Sequence, residues 1–112
     1  MNDNYINVVE AAKELGLQAK VVTAVKSFDT YNSFFNIYGE EEEPCRRIVI
    51  LTSDSEIEEV YDEDPSKEIN KIENISGNLW VREFTLTTNP KDIKFEDIAI
   101  LKEDVEKLKK LK

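Results

Sequence analysis

Arg46-Arg47-Ile48-Val49-Ile50-Leu51-Thr52 is the stretch on which the reading of this chain turns. Four consecutive aliphatic side chains, three of them β-branched, are too few for a membrane span and suit a strand buried on both faces. Such a strand belongs in the middle of a sheet. Downstream, Leu79–Thr87 alternates and carries Trp80, Val81 and Phe84, so it reads as a second strand. Trp80 is expected in the core, with Arg82 on the same face near the rim. Gly77-Asn78 is a two-residue hairpin turn joining this strand to residues 69–75. Thr88–Lys91 is a turn and Ile98–Leu101 a short strand. Lys102–Lys112 is a helix with Leu101, Val105 and Leu108 inward and a lysine-rich last turn that suits the helix dipole.

Upstream, residues 6–17 place Val8, Ala11, Ala12 and Leu15 at helical spacing and end on Gly16, a C-terminal stop signal. Residues 19–28 fit two patterns. Val21, Val25 and Phe28 make a helical stripe, and the β-branched content favours a strand. Residues 31–38 read as extended, and their aromatics Tyr31, Phe34, Phe35 and Tyr38 are expected in the core, with an exposed interface patch as the other reading. Gly39–Pro44 reads as an exposed loop or turn. Ser53-Asp54-Ser55-Glu56 matches a helix-capping box, so 54–62 is a short acidic helix with Ile57, Val60 and Tyr61 inward, or an edge strand. The expectation is one α+β domain over residues 1–112: an N-terminal helical segment, a small antiparallel sheet built on 46–52 and 79–87, and a C-terminal helix.

The composition narrows the chemistry. The chain has 112 residues with 24 acidic, 15 basic and no histidine, for a net charge of −9. A Ser-His-Asp triad, a Cys-His pair and imidazole metal ligands are therefore absent from it. Three glycines supply no phosphate-cradling loop. An enzyme and a cofactor are not expected. Cys45 has no second cysteine to pair with, and residues 1–5 carry neither a basic start nor an apolar run. The expected home is a reducing cytoplasm, with no membrane association. Asn74-Ile75-Ser76 matches a glycosylation sequon and is read as chance. The richness in Lys, Glu, Ile and Asn hints at an AT-rich bacterial or phage genome.

The charge is not spread evenly. Residues 1–39 net −1, residues 40–75 net −9 and residues 76–112 net +1. The acidity falls in two clusters: Glu40, Glu41, Glu42 and Glu43, then Asp54, Glu56, Glu58, Glu59, Asp62, Glu63 and Asp64. Like charges stay solvated unless a basic surface neutralises them. The leading expectation is a non-catalytic acidic protein-binding module, of the inhibitor kind found on phages and other mobile elements. Its acidic middle would mimic nucleic acid toward a basic partner protein. A solubilising face is the plainer alternative.

Two further readings compete. Residues 8–27 match a helix-turn-helix, with Ala12 at the helix crossing, Gly16 at the turn and Val22 and Val25 packing inward. Gln18, Lys20, Thr23 and Lys26 would then face a DNA groove. Residues 62–73 resemble a calcium loop, with Asp62, Asp64, Ser66 and Glu73 as oxygen ligands and Ile69 as the apolar anchor. Lys67 stands where that loop needs glycine, and Pro65 precedes it.

Overall fold

The aliphatic run is buried on both faces: Ile48, Val49 and Ile50 have no exposed surface and Leu51 has 1%. It forms the inner half of a much longer strand. A computed structural model of the chain describes residues 3–75 and 77–111. The described strands are β1 (Tyr5–Asn7), β2 (Gln18–Asn32), β3 (Ile37–Thr52), β4 (Glu59–Tyr61), β5 (Glu73–Ile75), β6 (Asn78–Phe84) and β7 (Ala99–Leu101). The helices are α1 (Val8–Leu15) and α2 (Lys102–Lys110), with short 3-10 turns at Pro90–Asp92 and Phe95–Asp97.

Five strands make one mixed sheet in the order β4-β2-β3-β6-β5, in which β4 runs parallel to β2 and the other neighbours are antiparallel. β1 and β7 pair separately. Strand accounts for 46% of the described residues and helix for 21%, so the protein is mostly β. This overturns the expectation of a helix-led α+β domain with one small antiparallel sheet. The physical reason is the β2–β3 hairpin. Its ladder runs unbroken but for one bulge from Gln18↔Thr52 to Asn32↔Ile37.

That ladder absorbs segments that look non-β on their own. Gln18–Asn32 is strand, so the second helix of a helix-turn-helix does not form. Gln18, Lys20 and Lys26 share one face of β2, and Thr23 lies on the other. Lys20 is tied to the main chain, donating to the carbonyls of Ser55 and Ile57. Glu40–Glu43 is likewise strand rather than loop, paired opposite Asp29–Lys26. Pro44 is tolerated because it sits beside the bulge at Cys45, beyond the stretch of β3 that pairs with β6. The 53–58 segment is not helical. Thr52 Oγ1 accepts from Asp54 N and Asp54 Oδ1 accepts from Glu56 N, which closes tight side-chain turns instead.

Two cores lie on opposite faces of the sheet. On one, Val49, Leu51, Leu79 and Val81 pack under α1, α2 and the β1–β7 pair through Val8, Ala11, Ala12, Leu15, Ile98, Ile100 and Val105. Asn7 caps α1 by accepting from Val9 N at 2.9 Å, and Gly16 ends it at φ +70°, a conformation glycine adopts without strain. On the other face, Val22, Ala24, Ile48, Ile50, Val60 and Trp80 form a second core with Ile69 of the 62–72 segment, and Ile57 and Ile75 pack against it. Trp80 is fully buried. A bulge between Val49 and Ile50 pairs Arg82 with Val49 and Trp80 with Ile50, so Arg82 faces away from Trp80 and stacks over Phe84. No helix among the described residues is long and apolar enough to cross a membrane.

Arg46 and Asp62 fasten β3 to the end of β4 below the bulge. Both are nearly buried, with Arg46 Nε donating to Asp62 Oδ2 at 2.7 Å and Nη2 to Oδ1 at 3.3 Å. Arg46 Nη1 also donates to the Lys67 carbonyl. Removing one member of such a pair strands a buried charge. Asp62→Ala should therefore cost about 3–5 kcal/mol in urea unfolding. The double change Arg46→Met/Asp62→Leu should recover most of that loss. Wild-type stability in the single variant would show that the pair holds nothing.

Candidate functional site

Three-strand and five-strand pairing stops at the bulge. β4 reaches only Val25 on β2, and β6 reaches only Arg47 on β3. Beyond these points residues 26–32 and 37–43 pair only with each other, as a two-stranded arm roughly 24 Å long at the usual rise per residue. The molecule is accordingly elongated, with extents of 60 × 31 × 25 Å. Its radius of gyration is 16.4 Å, against roughly 13 Å for a compact chain of this length.

Cross-strand partners share a face of the ribbon, so the register sorts the arm's side chains. Ser27, Asp29 and Tyr31 lie with Glu42, Glu40 and Tyr38 on one face. Lys26, Phe28 and Thr30 lie with Glu43, Glu41 and Gly39 on the other. The four glutamates are thus divided two and two. The first face continues onto β4, because Glu59 pairs with Thr23 and Tyr61 with Val25. Tyr61 donates its hydroxyl to Glu42 Oε1 at 2.7 Å. The fold therefore joins part of each acidic cluster, placing Asp29, Glu40, Glu42 and Glu59 along one exposed surface with Tyr38 and Tyr61 among them. None of the ion pairs among the described residues involves Glu40–Glu43.

The remaining acids of the second cluster do other things. Asp54, Glu56 and Glu58 are exposed on the turn and connection before β4, and Glu63 is exposed after it. Asp62 belongs to the buried pair with Arg46 and cannot face a partner. Asp64 is exposed, and a hydrogen bond from the Ser66 hydroxyl holds its carboxyl below the ordinary value.

The calcium loop is not assembled. Asp62 is spent on Arg46, Ser66 on Asp64, and Glu73 pairs with Lys67 at 3.2 Å. Strands β4 and β5, rather than two helices, flank the segment. Among the described residues no group of three or more potential ligands is placed to hold a metal ion.

The aromatics expected in the core are at the far end of the arm instead. Tyr31, Phe34, Phe35 and Tyr38 are 60%, 87%, 64% and 66% exposed. Sequence reasoning missed that Asp29 and Tyr61 belong with the glutamates. The parity of Glu40 and Glu42 becomes a signal only once the segment is known to be strand. No protein-family model, curated protein or solved structure matches this chain.

The crowding of negative charge is felt by the tyrosines. The hydrogen bond to Glu42, then the charge of Glu42, slight desolvation and the charges of Glu40 and Glu59 hold the Tyr61 phenol above its ordinary 10.0. A hydrogen bond with Asp29 raises Tyr38 likewise. A raised phenol pKa means that these contacts are intact below pH 10 and are lost as pH climbs through the raised value. In a spectrophotometric titration of phenolate, Glu42→Gln should bring one late-ionising tyrosine back toward 10, and Asp29→Asn a second. A Glu42→Gln curve superimposable on wild type would remove the contact.

Proposed function

We propose that this protein is a non-catalytic binding module whose acidic arm engages the basic groove of a nucleic-acid-binding protein. The observation that carries the reading is the uncompensated surface of Asp29, Glu40, Glu42 and Glu59 on a projecting two-stranded ribbon. An arm that stands clear of the body can enter a groove that a flat acidic face cannot. Along β3 the four glutamates advance by about 3.4 Å per residue, which equals the axial spacing of phosphates on one strand of duplex DNA. Lining groups in a groove that closes around both faces of the ribbon would meet carboxylates at that interval. Association is then steered by charge, fast, and weakened by salt.

The reading narrows the sequence expectation: Glu41 and Glu43 lie on the opposite face of the arm, and Asp54, Glu56, Glu58, Glu63 and Asp64 lie on the segments before and after β4. Asp62 leaves the binding set, and Asp29 enters it. The test is affinity capture at low salt from a bacterial lysate, comparing wild type with Glu40→Lys/Glu42→Lys/Glu59→Lys. Wild type should retain basic nucleic-acid-binding proteins that added DNA or RNA displaces, and the triple variant should lose them with unchanged thermal stability. Equal retention by the two proteins, or retention that nucleic acid does not compete, would falsify the reading.

A further inference from the structure

Residues 30–38 (Thr-Tyr-Asn-Ser-Phe-Phe-Asn-Ile-Tyr) contain no charged side chain, in a chain that is 35% charged. They cap an arm that otherwise carries Lys26 against Asp29 and Glu40–Glu43. Charge is therefore confined to the shaft, and apolar surface is concentrated at the end in Phe34, Phe35 and Ile37, with Phe28 the exposed aromatic on the shaft. The end is also held in shape. Asn32 Oδ1 accepts from the main-chain N–H of Phe34 at 3.0 Å and Phe35 at 3.3 Å. Asn36 takes the left-handed conformation at φ +55°, which asparagine tolerates, and its Oδ1 accepts the Tyr31 hydroxyl at 2.7 Å. These bonds fix the loop while Phe34 and Phe35 stack edge to face outside it, with ring centroids 4.9 Å apart.

We infer that the Phe34–Phe35 tip is the apolar anchor of the arm, seated in a hydrophobic pocket at the end of its partner's basic groove. The inference rests on the acidic-arm reading and adds where the affinity resides. Exposed carboxylates give rate and orientation, whereas buried aromatics on a prefolded loop give residence time. Charge selects this occupant over two others. A second copy packed arm against arm would set two shafts of the same sign alongside each other. A lipid surface rich in anionic headgroups would repel the five carboxylates behind the tip, which have Lys26 as their one cation on the arm.

Two immobilised probes of defined chemistry test it with the full-length chain: poly-L-lysine, and a lysine–phenylalanine copolymer that adds apolar sites to the same charge. Wild type should bind both, and the copolymer about tenfold more tightly, the size of a modest aromatic hot spot. Phe34→Ser/Phe35→Ser should abolish that tenfold preference and still bind poly-L-lysine as wild type does. Leu111→Ser, which changes an exposed leucine on the body, should keep the preference. Glu40→Gln/Glu42→Gln should weaken binding to both probes more than the charge-matched Glu103→Gln/Glu106→Gln.

If the copolymer preference survives Phe34→Ser/Phe35→Ser, the anchor is wrong and the acidic arm stands. Indifference of wild type to both probes, or equal losses in the two glutamine variants, removes the acidic arm itself. Phe34-dependent dimerisation in sedimentation equilibrium would assign the tip to a second copy and overturn the inference. Phe34-dependent binding to phosphatidylcholine vesicles would assign it to lipid, with the same consequence.

Discussion

The pairing of β2 with β3 is the constraint from which the rest of the molecule follows. Its register decides that Ile48 and Ile50 face one core and Val49 and Leu51 the other. A slip of one residue would exchange the two sets. Neither face would tolerate that exchange, because one meets helices and the other, with Trp80 beside Ile50, meets the loop carrying Ile69. The same register, continued past the bulge, decides which glutamates stand beside Asp29 and which beside Phe28. Core packing and the surface chemistry of the arm are thus set by one ladder.

The change from body to arm is abrupt, and the residues at the boundary account for it. Pro44 has no N–H to offer a further strand, and the Cys45 bulge twists the ribbon where β6 lets go. Just inside it, the Arg46–Asp62 pair closes the last covered layer, and Asp62 N donates to the Val25 carbonyl at 2.8 Å. Outside it the ribbon has no hydrophobic cover on either face. A two-stranded ribbon in water is marginally stable by itself. The tight loop at Asn32–Asn36 and the Tyr61–Glu42 bond at the root are what brace it.

Much of the body was legible in the sequence, because its signals are local. Val8, Ala11, Ala12 and Leu15 with Gly16, the run at 48–51, and Trp80 each needed only their neighbours in the chain to be read. The arm was not legible, because its signals are non-local. Glu40–Glu43 is solvated, as its composition requires, but solvation does not tell a loop from a strand whose partner lies over ten residues away. Val22 and Val25 look like one face of a helix. In fact they point to opposite faces of a strand, and both are buried because that part of the sheet is covered on both sides. Two-sided burial therefore imitates helical spacing. The aromatics misled for a related reason: nothing in a Tyr-Phe-Phe-Tyr series records whether a core will reach it. For the candidate site, the acidic residues were readable as a set, but their sorting between one exposed face of the arm, a buried ion pair and turn closure was not.

The tetraglutamate run has one duty that any charge would serve. The outer edge of β3 along the arm offers unpaired main-chain groups, and such edges recruit other strands unless something repels them. Like charges at Glu40–Glu43 keep a second β3 away, and four lysines would do so equally well. Edge protection alone therefore leaves the sign of the charge free. The row also continues to Asp29 on β2, the other edge of the arm, and across the root to Glu59 on β4, the outer strand of the sheet. Both positions lie on strands whose own outer edges are unpaired, so edge protection accounts for a charge at each of them but not for its being negative at both. A charge pattern of one sign that crosses three strands on one face is better matched to a surface of the opposite sign than to the protection of an edge.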